Sequence, residues 1–180
     1  MFYSIFLKRL FSKSRPDQAV GLVAAALVLG FGIGGLVDGI VLHQILQWHH
    51  MLSDSGYPST SLHNLEINTF ADGIFHLASL VLVIVGLLML WRHGGRHPND
   101  WRDWPLGILI GGLLSGWGTF NLVEGIIDHH VLGIHHVREG SQGYQLAWDL
   151  SFLAFGATLA IVGWILIYRC QLTDRKRLKK

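Results

Sequence analysis

The stretch LVDGIVLHQILQWHH, residues 36–50, returns further along the chain as LVEGIIDHHVLGIHH, residues 122–136. The two stretches align with a constant shift of 86 positions. They share one acid and three histidines, which are Asp38, His43, His49 and His50 in the first copy and Glu124, His129, His135 and His136 in the second. An internal repeat of this kind predicts two structurally similar units in the fold.

Both copies lie in strongly apolar sequence. Of the 180 residues, 51% are hydrophobic and only 14% are charged, a composition too apolar for an ordinary soluble domain. A helix needs about 20 mostly apolar residues to cross the hydrocarbon core of a membrane. Four stretches meet this requirement, namely residues 19–42, 70–91, 104–127 and 146–168. The predicted fold is all-α, an integral membrane four-helix bundle formed by tandem duplication of a transmembrane helix pair.

The repeated unit is a pair of helices, because a second match with a shift of 77 positions aligns Asp72 with Asp149 and Gly86 with Gly163. Each unit crosses the membrane twice, so we expect a pseudo-twofold axis along the membrane normal. We predict a single transmembrane domain over residues 1–180, with a cytoplasmic amphipathic segment at 1–17, repeats at about 18–92 and 104–169, and a basic cytoplasmic tail at 170–180.

The distribution of basic residues predicts the orientation. Lysine and arginine are concentrated before the first span, between the second and third spans, and after the fourth. The other two connections together contain a single basic residue, Arg138. The positive-inside rule therefore places both termini in the cytoplasm and the other two connections outside.

Histidines and acids gathered on the outer side form a candidate metal centre. A single cysteine, Cys170, excludes a thiolate cage, whereas imidazoles and carboxylates suit iron, copper(II), zinc or manganese. Facing helices of a bundle can supply such ligands to one or two ions. The candidate ligands are Asp38, His43, His49, His50, Asp72, His76, Glu124, His129, His130, His135 and His136. We predict a transition metal ion, with copper or iron favoured over zinc.

Helical spacing gives a first arrangement of these groups. On a regular α-helix, His43 lies on one stripe and Asp38 on another, roughly 140° away. Asp72 and His76 are four residues apart, so one helix presents them together. The second repeat has Leu153 where the first has His76, and this asymmetry argues against two identical sites.

Three other interpretations of the histidines stay open. Paired histidines at a helix end, such as His49 and His50, can be solvated or can cap the helix. His43 and His129 could ligate one haem iron from opposite sides. The acids and histidines could also form a proton relay. The outer loop, residues 51–67, contains a predicted turn and could cover the site.

Two functions follow from these patterns. The first is a metal-dependent oxidase or monooxygenase that acts on a small or lipid-soluble substrate, with His43, His76 and His129 as ligands and Asp72 and Glu124 as ligands or bases. The second is non-enzymatic: metal handling, or an accessory or assembly subunit of a larger membrane complex. An open coordination position beside a pocket distinguishes a catalyst from a structural site.

The two motifs DGIVLHQILQWHH and EGIIDHHVLGIHH, with four spans and short outer loops, resemble the bacterial predicted membrane proteins grouped as domain-of-unknown-function family 2243. The similarity covers nearly the whole chain and implies the bacterial inner membrane, with the histidines on the periplasmic side. It implies no established activity. The Asp72 and His76 pair also resembles part of the copper site of membrane-bound copper monooxygenases. The expected partners are the lipid bilayer and either further copies or other membrane subunits, with no nucleic acid.

Overall fold

The computed structural model describes residues 16–96, 105–141 and 143–177. These residues form helices and connecting turns, with no strand among them. The four α-helices are α1 (Pro16–Asp38), α2 (Leu62–Arg96), α3 (Leu106–Glu124) and α4 (Gln145–Arg177). Two π-helical segments, π1 (Gly39–Ile45) and π2 (Gly125–Leu132), directly continue α1 and α3. The predicted amphipathic segment falls almost wholly outside the described residues, as does the end of the basic tail.

Four helical stretches are long and apolar enough to span a membrane, namely Ala19–Ile45, Leu62–Gly94, Leu106–Leu132 and Gln145–Gln171. The predicted all-α transmembrane fold is thereby confirmed. The most apolar part of the first and third stretches is 44% and 50% buried inside the protein, against 11% and 17% for the second and fourth. The first and third helices therefore form the centre of the bundle, and the other two present most of their apolar surface outward.

The helices pack in the spatial order α2, α1, α3, α4. The central contact is reciprocal: a Cβ atom at Gly30 would overlap the backbone of Leu113, and one at Gly116 would overlap the backbone of Leu27. These are repeat-equivalent residues, so the pseudo-twofold axis passes between α1 and α3. Small residues allow this close backbone approach in membrane bundles, where lipid offers no hydrophobic driving force for packing.

Helix α2 begins at Leu62, so the second half of the predicted outer loop is helical. Ser61 caps this start, since its Oγ accepts from the amide of Asn64 at 3.2 Å. The buried side chain of Asn68 bonds to the preceding loop: its Nδ2 donates to the carbonyl of Tyr57 at 2.7 Å, and its Oδ1 accepts from the amide of Leu52 at 2.9 Å. These bonds hold the preceding turn against the first turns of α2. The predicted turn is present, with Gly56 at a φ of +89°.

We predict that Gly30→Ala destabilises the protein by about 1–3 kcal/mol, because the added methyl group forces the backbones of α1 and α3 apart. The matched control is Gly73→Ala in α2, where an added Cβ meets nothing within 4 Å. This control should raise stability by up to about 1 kcal/mol, since alanine is the better helix former. Reversible unfolding in detergent measures both changes. Equal effects of the two substitutions would contradict the close packing of α1 and α3.

Candidate metal centre

The π-helical segments bring the acid and the first histidine of each repeat together. Residues five apart diverge by about 140° on an α-helix, but a π-helix closes its hydrogen bonds between residues i and i+5. His43 Nε2 consequently lies 3.3 Å from Asp38 Oδ2. In the second repeat His129 Nε2 lies 3.0 Å from Glu124 Oε1. The predicted separation of Asp38 and His43 on two stripes assumed a regular α-helix and is wrong.

Beyond each π-segment the chain turns back and buries a second histidine. The turn uses repeat-equivalent residues in the left-handed region, Gln47 at a φ of +48° and Gly133 at +58°. It places His49 and His135 at the centre, where they are 1% and 0% exposed. Their rings stack on each other with centroids 4.6 Å apart and an interplanar angle of 7°. Both copies therefore meet at the pseudo-twofold axis.

Hydrogen bonds across the axis fix the orientation of these two rings. His49 Nδ1 donates to the carbonyl of Val137 at 2.9 Å. His135 Nδ1 donates in the equivalent way to the carbonyl of Met51 at 3.2 Å. Because a carbonyl only accepts, each Nδ1 carries a proton, and the Nε2 atoms are directed to the interior of the cluster.

Asp72 of α2 orients two histidines of the first repeat by accepting hydrogen bonds from their Nδ1 atoms. Its Oδ1 accepts from His43 Nδ1 at 2.8 Å and from the amide of Met51 at 2.9 Å. Its Oδ2 accepts from His50 Nδ1 at 2.7 Å. Both carboxylate oxygens of Asp72 thus accept hydrogen bonds that position other groups. The carboxylate contacts the Nδ1 side of the His43 ring, and the unpaired Nε2 atom is on the other side of that ring.

Asp149 of α4 is the counterpart of Asp72 in the second repeat. It accepts from His136 Nδ1 at 2.7 Å and from the amide of Val137 at 3.0 Å. His129 Nδ1 lies 3.6 Å from Asp149 Oδ1, which is longer than the corresponding distance in the first repeat. Asp149 therefore pairs with histidine and backbone groups of the second repeat.

Two overlapping groups of side chains have the geometry to bind a metal ion. The potential ligand atoms of His43, His49 and His135 all lie within 4.8 Å of one another, as do those of Glu124, His129 and His135. All five residues are buried. His135 belongs to both groups, but its Nδ1 donates to Met51, so its Nε2 can bind only one ion and the two groups share this ligand.

Several buried atoms at the centre make no well-aligned hydrogen bond among the described residues, although His43 and His129 lie 3.3 Å and 3.0 Å from the carboxylates of Asp38 and Glu124. They are both carboxylate oxygens of Asp38, Oε2 of Glu124, the Nε2 atoms of His43 and His49, and both ring nitrogens of His129. Each buried unsatisfied polar group costs about 1–3 kcal/mol. Because these atoms are lone-pair donors once the Nδ1 atoms are protonated, a cation is the partner that would satisfy them together.

The pKa values of the two central histidines are shifted in opposite directions. Burial lowers the pKa of His49 well below its ordinary value, and the neighbouring His135 and His43 lower it further. Burial also acts to lower the pKa of His135, but the hydrogen bond to Glu124 and its charge outweigh this, so the pKa is raised. His135 Nε2 lies 2.9 Å from Glu124 Oε1, where it donates its proton. An ion at this position would have to displace that proton.

The remaining predicted ligands lie outside the two groups. His50 and His136 contact the outer oxygens of Asp72 and Asp149. His130 is exposed. His76 Nδ1 donates to the backbone carbonyl of Asp72 at 2.6 Å, and its Nε2 lies against Gly39 and has no hydrogen-bond partner among the described residues.

The connections that follow π1 and π2 pack against each other beside the cluster. The amide of Asp54 donates to the carbonyl of Ile134 at 3.0 Å, and the amide of Glu139 donates to the carbonyl of Trp48 at 2.7 Å. Arg138 lies 5.4 Å from the ring centroids of both Trp48 and Trp148. The outer loop thus packs against its counterpart above the histidines.

A cavity of about 180 Å³ approaches the cluster from the membrane-spanning region. It lies between α1, α3 and α4, and its lining includes Asp38 and Asn121. The Oδ1 atom of Asn121 is buried without a hydrogen-bond partner among the described residues. The candidate ligand Asp38 therefore connects the cavity with the cluster.

Comparison with known proteins gives a family and a partial relative. The family described as predicted membrane protein (DUF2243) matches residues 25–170. The lipoprotein signal peptidase of Syntrophotalea carbinolica is 32% identical over 96 residues, which cover 52% of this chain and 51% of that protein. The chain thus matches about half the length of this relative. No solved structure matches the chain significantly.

Substitutions in the two left-handed turns should change the stability of the protein in opposite directions. Gln47→Gly should stabilise the protein by about 1 kcal/mol, because it removes the steric cost of a side chain in this region. Gly133→Ala should destabilise it by about 1–2 kcal/mol through the backbone conformation alone, since a Cβ there meets nothing within 4 Å. Unfolding in detergent measures both. Changes of the same sign would show that the two turns are not equivalent.

Proposed function

This chain belongs to the DUF2243 family of predicted membrane proteins, and we propose that it is a membrane metalloprotein with an iron or copper centre. The observation that carries the proposal is a group of imidazoles with anchored Nδ1 atoms and mutually facing Nε2 atoms. Metal-binding histidines almost always donate their second ring N–H to a carboxylate or a carbonyl. The proposed ligands are Asp38, His43, His49, Glu124, His129 and His135.

The number of donor groups favours iron or copper. Four imidazoles and two carboxylates exceed the four ligands of a tetrahedral structural zinc site. Helical bundles bind such ions with histidines and carboxylates from facing helices, and the donors here have that origin. An ion is favoured over haem because His49 and His135 stack in the space beside His43 and His129.

We propose an oxidase or monooxygenase as the reaction class, with a small lipid-soluble substrate. A catalytic metal needs an open coordination position next to a pocket, and the cavity beside Asp38 supplies the pocket. Iron or copper supplies electron transfer and oxygen chemistry when bound. The protein positions the ligands, and the interlocked outer loops exclude bulk water.

Two alternatives have their own support. The closed outer loops favour a non-enzymatic role in metal handling or as an accessory subunit, because a fully ligated ion needs no substrate access. The likeness to half of a protein named lipoprotein signal peptidase favours a hydrolytic reaction instead. A bound metal ion lowers the pKa of its water ligand and makes it a nucleophile, so the same cluster suits hydrolysis.

The proposed location is the bacterial inner membrane, with both termini in the cytoplasm and the metal centre on the periplasmic side. The bias of lysine and arginine toward the termini and the second connection supports this orientation. Arg138, the basic residue of the outer connections, stacks with two tryptophans, which favour a membrane boundary.

We predict that purified protein contains near-stoichiometric iron or copper by inductively coupled plasma mass spectrometry. His49→Ala and His135→Ala should each reduce the bound metal at least tenfold, since each removes a central ligand. His63→Ala and His130→Ala are matched controls with exposed side chains and should retain it. Thermal unfolding of each variant shows that it is folded.

The metal found decides between the candidate functions. Iron or copper, lost in the central variants only, supports the redox centre and leads to measurement of oxygen consumption. Zinc alone favours the structural or hydrolytic alternatives. A wild-type protein that neither contains nor takes up any of these metals would contradict the proposal.

Asp72→Asn should weaken metal binding by about 10–100-fold, because loss of an anchoring carboxylate misorients His43 and lowers its basicity. Asp54→Asn is the control, since that side chain is exposed on the same outer loop. Competition with a chelator of known affinity measures both. An unchanged affinity in Asp72→Asn would contradict the anchoring role.

A further inference from the structure

We propose that the cavity between α1, α3 and α4 binds the hydroxylated aromatic ring of a small uncharged molecule dissolved in the bilayer. The inference rests on the proposed metal centre, because the ring would be the substrate presented to it. The polar groups, the walls and the entrance of the cavity determine which ligand fits it.

The polar groups of the cavity require a hydrogen-bond donor. Asp38 is 5% exposed and Asn121 is 2% exposed, and the Oδ1 atoms of both lack a hydrogen-bond partner among the described residues. A carboxylate and an amide oxygen are acceptors. A buried acceptor without a donor is costly in an apolar environment. A hydroxyl group would satisfy either oxygen, whereas an anion or a plain hydrocarbon would not.

The walls of the cavity suit an aromatic ring. Trp117 and Phe155 line it and meet edge to face, with centroids 6.2 Å apart and an interplanar angle of 85°. Phe152 and Val41 complete the apolar lining. Aromatic side chains prefer such offset or edge-on contacts with another ring. At about 30 Å³ per water molecule, the volume of about 180 Å³ corresponds to roughly six waters, enough for one six-membered ring.

The opposite half of the bundle is filled at the corresponding position. The repeat equivalents of Trp117 and Phe152 are Phe31 and Phe75, and Phe120 packs against both, with centroid distances of 5.4 and 6.0 Å. The equivalent of Phe120 is Gly34, and an added Cβ there would lie 2.8 Å from Trp117 Cδ1, so the tryptophan ring packs directly against the glycine. The aromatic residues around the cavity are therefore arranged differently from their repeat equivalents.

The entrance faces the membrane. Every lining residue belongs to a candidate span, and Val41 and Phe155 are 36% and 49% exposed on the outer surface of the bundle. The interlocked outer loops cover the aqueous side of the cluster. A ligand would thus enter from the hydrocarbon region, which selects for uncharged molecules.

The position of Asp38 links this ligand to the metal centre. Its Oδ2 lies 3.3 Å from His43 Nε2, and its Oδ1 is free to accept from a hydroxyl group in the cavity. One carboxylate therefore separates the bound hydroxyl from the proposed ion. Asp38 would accept the hydrogen bond and hold the ring next to the centre.

The test uses the full-length protein in nanodiscs and a matched pair of probes, 4-fluorophenol and 4-fluorotoluene, titrated by ¹⁹F NMR. The phenol should bind at least about tenfold more tightly at equal bilayer concentration, which corresponds to about one hydrogen bond to a buried acceptor. Equal binding of the two probes, or binding of neither, would overturn the inference.

Two variants locate the binding site. Val41→Trp fills the entrance and should weaken 4-fluorophenol binding at least tenfold, whereas Ile127→Trp, the same change at the repeat-equivalent position, should leave it unchanged. Asp38→Leu should remove the preference for the phenol over the toluene, because Asp38 is the proposed acceptor, whereas Asn121→Leu should retain that preference. Loss of binding in Ile127→Trp as well as Val41→Trp would place the probe elsewhere and overturn the inference.

Metal analysis of the same samples separates the two proposals. A protein that binds metal but discriminates neither probe refutes the cavity inference alone. A protein that prefers 4-fluorophenol at the cavity yet takes up no metal refutes the proposed function and leaves the binding site established. Val41→Trp should retain the wild-type metal content, because the residue is not a proposed ligand.

Discussion

The close approach of α1 and α3 at Gly30 and Gly116 is the constraint on which the rest of the structure depends. It sets the pseudo-twofold axis, and the chain beyond each central helix must then meet its equivalent across that axis. The stacked rings of His49 and His135 are the consequence. Each ring is oriented by a carbonyl of the other repeat, so neither repeat could form its half of the cluster alone.

Several differences between the repeats affect groups close to this axis. Glu124 is one methylene longer than Asp38, and it reaches His135, whereas Asp38 leaves His49 Nε2 without a partner. Phe120 packs between Phe31 and Phe75, whereas its equivalent Gly34 packs against Trp117. A duplicated scaffold thus supplies symmetric anchors, while the asymmetric residues determine where an ion and a second ligand can be accommodated.

The spans and the duplication were predictable because both follow from local composition and from residue identity at fixed spacing. The acids and histidines of the repeat were predictable for the same reason. The π-segments were not, since apolar periodicity does not distinguish a π-turn from an α-turn in a helix that is hydrophobic on all sides. The central place of His49 was missed because it depends on the left-handed Gln47 and on the carbonyl of Val137, a contact between residues 88 positions apart.

The same reasoning explains why Asp72 was expected to be a ligand and is an anchor. A carboxylate with three hydrogen-bond donors is satisfied without an ion. Asp38 instead lies 3.3 Å from His43 Nε2, and its Oδ1 has no hydrogen-bond partner among the described residues. A buried carboxylate that is only partly satisfied is costly. The proposed cation would satisfy it, and ion binding would then be coupled to folding.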